Sequence, residues 1–346
     1  MTTPSARTWP GTRAAAELGA DFGLVLSPGY FRKQMTDEVS REPSFYREKN
    51  TMDEKLMGVF APITTPFSDK GEVAYDKLAS NMKFYAESEL KGYLALGSNG
   101  ENKSLTNLEK EKVLETIIRN KGPHQVVMAG CIFESTKETI DFAKIAQGLG
   151  SDFITLLPPS YFKKEMTDAV LLRYFSDVAS SLSTPCLVYN APQFCGGTTL
   201  SLSLVKDLAK HPNIKGVKDS SVGNIESFLL AVRDTFNVMA GSANFFMNAL
   251  IMGAPGGVIS LANAFPAITC KLYRLTVEKK YEEAFKLNEK VIQLNKSVSG
   301  SGGVAAVKYA MDLAGLYGGD PRLPLVPLSA ELRKNISDSV SKEGLL

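Results

Sequence analysis

Short apolar stretches alternate with longer amphipathic ones along the chain from residue 58 onward. Eight short stretches are rich in Val, Ile, Leu, Phe, Ala and Gly and cover residues 58–63, 92–96, 126–130, 153–157, 185–189, 214–217, 237–240 and 256–259. Continuous apolar runs of this length are typical of strands that are buried on both faces, as in a parallel sheet. We therefore predict eight parallel strands.

The segments between these strands have the spacing of amphipathic helices. The clearest are 75–87, 108–120, 136–149, 169–182 and 202–210, and we expect Asp168 and Ser201 to cap two of them. Eight strand–helix units of this size favour a closed (β/α)8 TIM barrel over an open doubly wound sheet. Further helices, predicted at 265–277, 281–295, 304–314 and near 330–342, would form a C-terminal helical extension.

The chain divides into three predicted regions: an N-terminal extension (1–56), a catalytic barrel (57–278) and a C-terminal helical region (279–346). Within the extension, residues 18–39 match residues 149–170 without gaps, and more than half of the positions are identical. A lone strand and loop cannot bury its own apolar face. We interpret the extension as a remnant of a duplicated sequence or a mis-joined exon and expect it to be poorly ordered; an appendage that docks on the barrel is the alternative.

Composition narrows the function classes. The 346 residues carry a formal net charge of +2, which gives no electrostatic case for a nucleic-acid partner. No apolar run approaches the roughly 20 residues that a membrane span needs. The four cysteines form no CxxC pair, so reduced and mostly buried thiols are expected. With only two histidines, a His-based metal site is not expected, and acid–base chemistry would fall to Lys, Tyr, Asp or Glu.

Residues 1–16 are relevant to the cellular compartment of the protein. Residues 1–16 contain Arg7, Arg13 and several hydroxyl residues but no acidic residue, which resembles a transit peptide only weakly. We therefore expect a cytoplasmic protein and keep a mitochondrial location as the alternative.

Two residues at neighbouring predicted strand ends could perform carbonyl chemistry. Lys218 follows the apolar run at 214–217, and Tyr189 ends the preceding strand. Catalytic groups of TIM barrels lie at the carboxyl ends of strands, and neighbouring strands are about 4.8 Å apart. A partly buried lysine amine can attack a carbonyl, and a phenol can shuttle protons. Taken singly, such a lysine is more often a solvated loop residue and such a tyrosine a core residue.

Small and polar residues follow other strands. The GSNGE segment at residues 97–101 can turn tightly, and its amides with the Ser98 and Asn99 side chains suit a small carboxylate. A turn with a helix cap is the simpler interpretation of GxxGE alone. The AGSA segment at 240–243 and the GGVI segment at 256–259 leave room above the last two strands, although their glycines could equally serve packing.

These pieces occur in a specific order: GSNGE, PSYF, YNAP, GVKDS, AGSA and GGVISLAN. The ordered set resembles the dihydrodipicolinate synthase and N-acetylneuraminate lyase family of class I aldolases, over residues 57–328. The resemblance implies a Schiff-base enzyme that needs neither a metal nor an organic cofactor. Its substrates would be pyruvate or another small 2-oxo acid and an aldehyde, and it would be a homotetramer built as a dimer of dimers.

The resemblance also implies roles for individual residues. The catalytic set would be Lys218 as the Schiff-base lysine, Tyr189 as proton donor and acceptor, Ser98 as a relay hydroxyl, and Tyr161 as a relay tyrosine inserted into a neighbouring subunit's site. The substrate-binding set would be Asn99, Gly97, Gly241 and Ile259.

One position departs from the family pattern. Dihydrodipicolinate synthases usually carry an arginine where this chain has Phe194, and a phenyl ring cannot form a bidentate pair with a carboxylate. Other details, including HPNIKGVKDS and LYGGDPRLPL, look most like the 4-hydroxy-2-oxoglutarate aldolase branch and the related fungal 2-keto-3-deoxy-sugar-acid aldolases. We therefore expect cleavage of a 4-hydroxy-2-oxo acid to pyruvate and an aldehyde. Arg173 and Arg233 are candidates for binding a distal carboxylate.

Two other functions remain open. The chain could be a 4-hydroxy-tetrahydrodipicolinate (dihydrodipicolinate) synthase that condenses pyruvate with aspartate semialdehyde. It could also be a non-catalytic barrel that senses a small ligand, since a fold alone does not establish activity. A degenerate barrel should lack the lysine or a relay hydroxyl, and here all of them are present.

Overall fold

A computed structural model describes residues 53–300 and 302–345 of the chain. The repeated segment at 18–39, and the expectation that the extension is poorly ordered, lie outside the described residues.

Eight parallel strands close into a barrel, in which each strand pairs with the next and the last pairs with the first. They are β1 (Gly58–Pro62), β2 (Gly92–Ala95), β3 (Val126–Cys131), β4 (Phe153–Leu156), β5 (Cys186–Asn190), β6 (Ile214–Asp219), β7 (Asn237–Ala240) and β8 (Gly256–Val258). Every apolar stretch predicted as a strand forms one. The predicted TIM barrel is therefore confirmed.

Helices cover the outside of the barrel and continue beyond it. Seven follow the first seven strands: α1 (Tyr75–Ala86), α2 (Asn107–Asn120), α3 (Thr136–Leu149), α4 (Asp168–Ser180), α5 (Leu202–Leu208), α6 (Ile225–Val232) and α7 (Phe246–Ile251). After β8 come α8 (Pro266–Val277), α9 (Tyr281–Asn295), α10 (Gly303–Leu313) and α11 (Ala330–Lys342). A π-helical turn, Lys296–Gly300, extends α9. The expected C-terminal helices are thus present.

Polar side chains fix where the helices begin. At α2, Thr106 and Glu109 form a reciprocal capping box, which satisfies amides that the first turn leaves free. Ser201 caps α5 as predicted, because its hydroxyl accepts from the Leu204 amide. The prediction for Asp168 was wrong: Thr167 caps α4, and Asp168 is the first helical residue. The Asp168 carboxylate instead accepts a hydrogen bond from the Ser201 hydroxyl, which lies at the next helix.

Two apolar layers stabilise the barrel. The larger lies between strands and helices, and α-helical residues such as Leu78, Leu114 and Phe175 are completely buried in it. The smaller cluster contains side chains from seven of the strands and from the segment before β1: Leu56, Phe60, Leu94, Val126, Met128, Phe153, Leu187, Met239 and Val258. In a TIM barrel such a layer makes the interior a packed core, so that a site forms at the end of the barrel and not inside it.

The segment after α10 returns to the barrel and contacts its first two helices. Asn81 on α1 exchanges two hydrogen bonds with the backbone of Tyr317, at 2.7 and 3.0 Å. Arg322 pairs with Glu109 on α2 through two hydrogen bonds, at 2.7 and 2.9 Å. The C-terminal helical region is therefore attached to the β2 side of the barrel.

Candidate active site

Lys218 and Tyr189 meet on adjacent strands. The two residues are register partners between β5 and β6, so their side chains leave the sheet side by side. Lys218 Nζ lies 3.8 Å from the centroid of the Tyr189 ring. Both are largely shielded from solvent, with exposed fractions of 5% and 3%. Both strands continue further than the sequence predicted, β5 by one residue to Asn190 and β6 by two residues to Asp219.

The next register pair holds these two strands in place. Asn190 Nδ2 donates to Asp219 Oδ1 at 2.7 Å, and the Ser221 hydroxyl donates to the same oxygen at 2.7 Å. Asn190 Oδ1 accepts from the Leu200 amide at 3.0 Å. Burial raises the pKa of Asp219, although these hydrogen bonds oppose the shift. A buried polar network of this kind favours one register between β5 and β6.

The 97–101 turn follows β2 and reaches the same end of the barrel. Within it, the amides of Gly100 and Glu101 donate to the carbonyls of Gly97 and Ser98, at 3.1 Å each. These two amides are thus engaged inside the turn. The side chain of Asn99 donates to the Ser260 hydroxyl, beyond β8, at 2.9 Å.

A cavity of about 780 Å³ opens at the carboxyl end of the strands. Of the residues predicted from the sequence, Lys218, Tyr189, Ser98, Asn99 and Gly241 line it. Its volume suits a small organic molecule. The structure therefore brings together the predicted lysine, tyrosine and turn residues around one space.

Gly241 has a steric reason to be glycine. A Cβ atom at this position would lie 1.9 Å from Ser220 Oγ and 2.6 Å from the Asp219 carbonyl oxygen. A side chain would therefore displace the segment that follows Lys218. The other two predicted binding residues do not line the cavity: Ile259 is fully buried in the apolar core, and Gly97 packs at the base of its turn, where a Cβ would be 3.0 Å from Leu94.

Tyr161 lies outside the cavity of its own chain. Its side chain is 80% exposed and packs edge-on against Phe162, with ring centroids 5.0 Å apart. Glu134 fixes the backbone of this loop, because its carboxylate accepts from the amides of Ser160 and Tyr161 at 2.8 and 3.0 Å. Two exposed aromatic rings on a fixed loop form an apolar projection from the barrel.

The outer wall of the cavity is rich in hydroxyl and amide groups. Besides Phe194, it includes Gln193, Ser220, Ser242, Asn244, Ser260, Asn295 and Ser299. Phe194 is 51% exposed. Arg173 and Arg233, the candidates for reading a distal carboxylate, do not line the cavity. They pair with Asp177 and Asp234, their neighbours in sequence, so that prediction was wrong.

The sequence analysis missed a buried ion pair beside the cavity. Glu101 Oε1 lies 2.6 Å from Lys308 Nζ, and both side chains are 0% exposed. Glu101 also lines the cavity. The signal was present in the sequence, since Lys308 interrupts the apolar run VAAVKYAM. A lysine within an apolar helical run is seldom buried without a partner, so an acidic partner could have been sought.

The assembled groups suit imine and proton-transfer chemistry. A shielded primary amine can form a covalent adduct with a carbonyl, and the phenol beside it can exchange protons with that adduct. The Ser98 hydroxyl and the side-chain amide of Asn99, both in the 97–101 turn, can bind an anionic group across the cavity. Among residues 53–300 and 302–345, no group of three or more His, Cys, Asp or Glu side chains could hold a metal ion.

Sequence comparisons agree on one family for this chain. Residues 55–343 match the model of the dihydrodipicolinate synthetase family. A Coccidioides immitis protein named as a mitochondrial 4-hydroxy-2-oxoglutarate aldolase is 31% identical over 295 residues, which covers 81% of this chain and 93% of that protein. A Methanosphaerula palustris protein named 4-hydroxy-tetrahydrodipicolinate synthase is 32% identical over 291 residues, which covers 82% of this chain and 98% of that one.

Solved structures of proteins from the same family have the same fold as this chain. The dihydrodipicolinate synthase of Acinetobacter baumannii, determined with pyruvate, superposes with a TM-score of 0.80 at 27% identity and covers 84% of this chain and 100% of its own. A dihydrodipicolinate synthase family protein of Coccidioides immitis gives a TM-score of 0.74 at 27% identity, covering 84% and 96% of the two chains.

Proposed function

Because this chain belongs to the dihydrodipicolinate synthetase family of class I aldolases and lyases, we propose that it cleaves a 4-hydroxy-2-oxo acid to pyruvate and an aldehyde through a Schiff base on Lys218. The observation that carries the proposal is the position of Lys218 Nζ, 3.8 Å from the Tyr189 ring and on the wall of the cavity. No external cofactor is needed, since the substrate itself becomes the electron sink.

The proposed reaction has four steps. The Lys218 amine adds to the C2 carbonyl, and loss of water gives an iminium ion. Tyr189 takes the proton of the C4 hydroxyl, directly or through water, while the C3–C4 bond breaks and its electrons flow into the iminium. The aldehyde leaves, and the enamine that remains on Lys218 is protonated at C3. Water then hydrolyses the imine and releases pyruvate with the free amine.

The other predicted residues have supporting roles in this proposal. Ser98 and Asn99 would bind the carboxylate at C1, which places C2 beside Lys218. Ser98 and Tyr161 would pass the proton between Tyr189 and solvent. Gly241 would leave room for the bound pyruvate, and Gly97 and Ile259 would shape the pocket from behind the cavity wall.

The aldehyde partner would be glyoxylate, from 4-hydroxy-2-oxoglutarate, or a glyceraldehyde, from a 2-keto-3-deoxy sugar acid. Phe194 supports this choice over the condensation of pyruvate with aspartate semialdehyde, because a phenyl ring lies on the cavity wall where synthases usually have an arginine. The synthase reaction remains the alternative, since relatives with that name are as similar to this chain as those named as aldolases.

Assembly and compartment belong to the same proposal. The exposed rings of Tyr161 and Phe162 support a homotetramer in which this loop enters a neighbouring subunit's site. We expect a cytoplasmic protein, with the mitochondrion as the alternative that the names of two fungal relatives favour. Within the described part of the chain, no helix is both long and apolar enough to span a membrane. A fluorescent fusion of the full chain distinguishes the two compartments.

Borohydride trapping tests the Schiff base. The protein is incubated with pyruvate and sodium borohydride, digested, and examined by mass spectrometry. We expect a reduced pyruvate adduct on Lys218 that is absent from Lys218→Ala. If folded wild-type protein forms no such adduct, the class I mechanism is wrong for this chain. Turnover of 4-hydroxy-2-oxoglutarate, 2-keto-3-deoxy sugar acids and aspartate semialdehyde then ranks the substrates.

A further inference from the structure

The ion pair between Glu101 and Lys308 connects the C-terminal helical region to the active-site cavity. Lys308 lies on α10, and its amine also donates to the Asp320 carbonyl at 3.2 Å and lies 4.4 Å from the centroid of the Phe67 ring. Burial lowers the pKa of Lys308, while the adjacent Glu101 carboxylate opposes that shift. The lysine is thus surrounded by groups that fix its amine at one place.

The 97–101 turn needs external support. Leu96 and Glu101, which bracket Ser98 and Asn99, have positive φ angles of 57° and 52°. This left-handed conformation is unfavourable for residues other than glycine, and it persists only where the surrounding structure enforces it.

The support comes from the side chains and backbone around the turn. The Lys308 amine and the Arg322 amide hold the two oxygens of Glu101, at 2.6 and 2.9 Å. The Thr65 hydroxyl donates to the Gly100 carbonyl at 2.7 Å. Two of these three contacts come from the C-terminal region, so that region helps to fix where the turn lies. The barrel holds the turn through two further hydrogen bonds of 2.9 Å, from Asn99 to Ser260 and from the Asn102 side chain to the Leu96 carbonyl.

We propose that the Glu101–Lys308 pair positions the 97–101 turn to bind the carboxylate of the 2-oxo acid, which makes Lys308 a positioning residue of the active site. The inference rests on the proposed function, in which Ser98 and Asn99 hold that carboxylate. A shift of the turn by a fraction of an ångström would lengthen the hydrogen bonds of both residues to the anion, and such bonds weaken steeply with geometry.

Stability alone is a weak explanation for this pair. Replacing a buried ion pair by uncharged groups of similar size is often neutral or stabilising, whereas removing one partner leaves a buried charge. The double variant Glu101→Gln/Lys308→Met is therefore the appropriate probe, because it keeps the side-chain volumes and leaves no unpaired charge. It removes the short contact that places the turn.

The readout is the pyruvate concentration that gives half-maximal borohydride trapping at Lys218. We expect this concentration to rise by about tenfold in the double variant, the effect of weakening one hydrogen bond to a charged group. Trapping at saturating pyruvate should reach the wild-type extent, because Lys218 lies on β6, away from the turn. The buried Thr65→Val variant, which keeps the ion pair, should shift the concentration in the same direction.

Asn81→Ala provides the matched control. It removes two hydrogen bonds that attach the C-terminal region to α1 but none that reaches Glu101. We expect a loss of thermal stability without a change in half-saturation. The inference is overturned if the folded double variant binds pyruvate as wild type does, whatever the result for Thr65→Val, or if Asn81→Ala weakens pyruvate binding equally. An unlabelled wild-type protein would instead overturn the proposed function, and the inference with it.

Discussion

Lys218 and Tyr189 are register partners on adjacent strands, and the Lys218 amine lies over the Tyr189 ring at 3.8 Å from its centroid. The pairing explains how a lysine and a tyrosine far apart in sequence come to face one cavity. It also separates two roles of the tyrosine: the ring packs against the amine, and in the proposed mechanism the hydroxyl exchanges protons.

Tyr189→Phe tests this separation. The ring remains, so we expect the fold and the pyruvate adduct on Lys218 to persist, whereas turnover of the 4-hydroxy-2-oxo acid falls by about 10²–10⁴, a typical contribution of a general acid–base group. Steady-state kinetics and adduct mass spectrometry measure the two effects. Tyr174→Phe is the control, because Tyr174 is also buried and its hydroxyl contacts Thr139 rather than the cavity. Undiminished turnover in Tyr189→Phe would assign the proton transfer to another group.

A complementation experiment tests whether Tyr161 acts in a neighbouring subunit. Tyr161→Phe and Lys218→Ala should each have little activity alone. In co-expressed hybrids, a subunit with Lys218 can receive Tyr161 from a Lys218→Ala neighbour, so we expect recovery to about a quarter of wild-type activity at random mixing. Activity assays on the purified mixture of parental and hybrid assemblies provide the measurement. If the hybrids never exceed the Tyr161→Phe parent, the tyrosine does not act between subunits.

Substrate choice should depend on Phe194. In Phe194→Arg, a guanidinium on the cavity wall can pair with a carboxylate, and we expect kcat/KM for aspartate semialdehyde to rise by about tenfold or more. Phe194→Leu, which stays neutral, should show no such gain. Kinetics with pyruvate as co-substrate measure both variants. Wild-type protein that already prefers aspartate semialdehyde to every 4-hydroxy-2-oxo acid would favour the synthase alternative.

The Glu109–Arg322 pair predicts a pH-dependent contribution to stability. The hydrogen bonds from Arg322 lower the pKa of Glu109 from 4.5 to about 2, and the carboxylate is 19% exposed. A depressed carboxyl pKa stabilises the fold above the unfolded value and loses that effect as pH falls towards the folded value. We expect Glu109→Gln to lower the free energy of unfolding at pH 7 by up to about 3 kcal/mol.

That difference should shrink as pH falls from 4.5 towards 2, and urea unfolding across this range measures it. Glu115→Gln is the control on the same helix. Its partner Arg119 is 74% exposed, and exposed pairs contribute little. Equal destabilisation by the two variants at pH 7 would contradict the assignment.

The barrel could be predicted because its strands are apolar on both faces and recur at regular spacing. The same regularity placed Lys218 and Tyr189 at neighbouring strand positions. Details that depend on a competition between adjacent side chains could not be predicted in this way. Thr167 caps α4 instead of Asp168 because its hydroxyl reaches the Val170 amide, while the Asp168 carboxylate finds a partner at Ser201.

The partners of charged side chains were also beyond the sequence pattern. Arg173 and Arg233 pair with aspartates within four residues along the chain, and a periodicity argument cannot tell such pairs from a binding site. The partner of Glu101 comes from a helix after the eighth strand, so only the tertiary fold brings them together. The sequence showed small residues around Gly241, but not why position 241 must be glycine. The reason is that a Cβ there would clash with Ser220, and this depends on the folded backbone.

The Glu101–Lys308 pair has a consequence for when the protein can bind substrate during its synthesis. Ribosomes synthesise chains from the amino end, so all eight strands and the turn at 97–101 emerge before α10. Until Lys308 and Arg322 follow, the Glu101 carboxylate lacks the ammonium group that neutralises it and the backbone amide that donates to it. If the pair positions the turn as we propose, a nascent barrel with β5 and β6 already paired would hold 2-oxo acids weakly until α10 and the segment after it have been made.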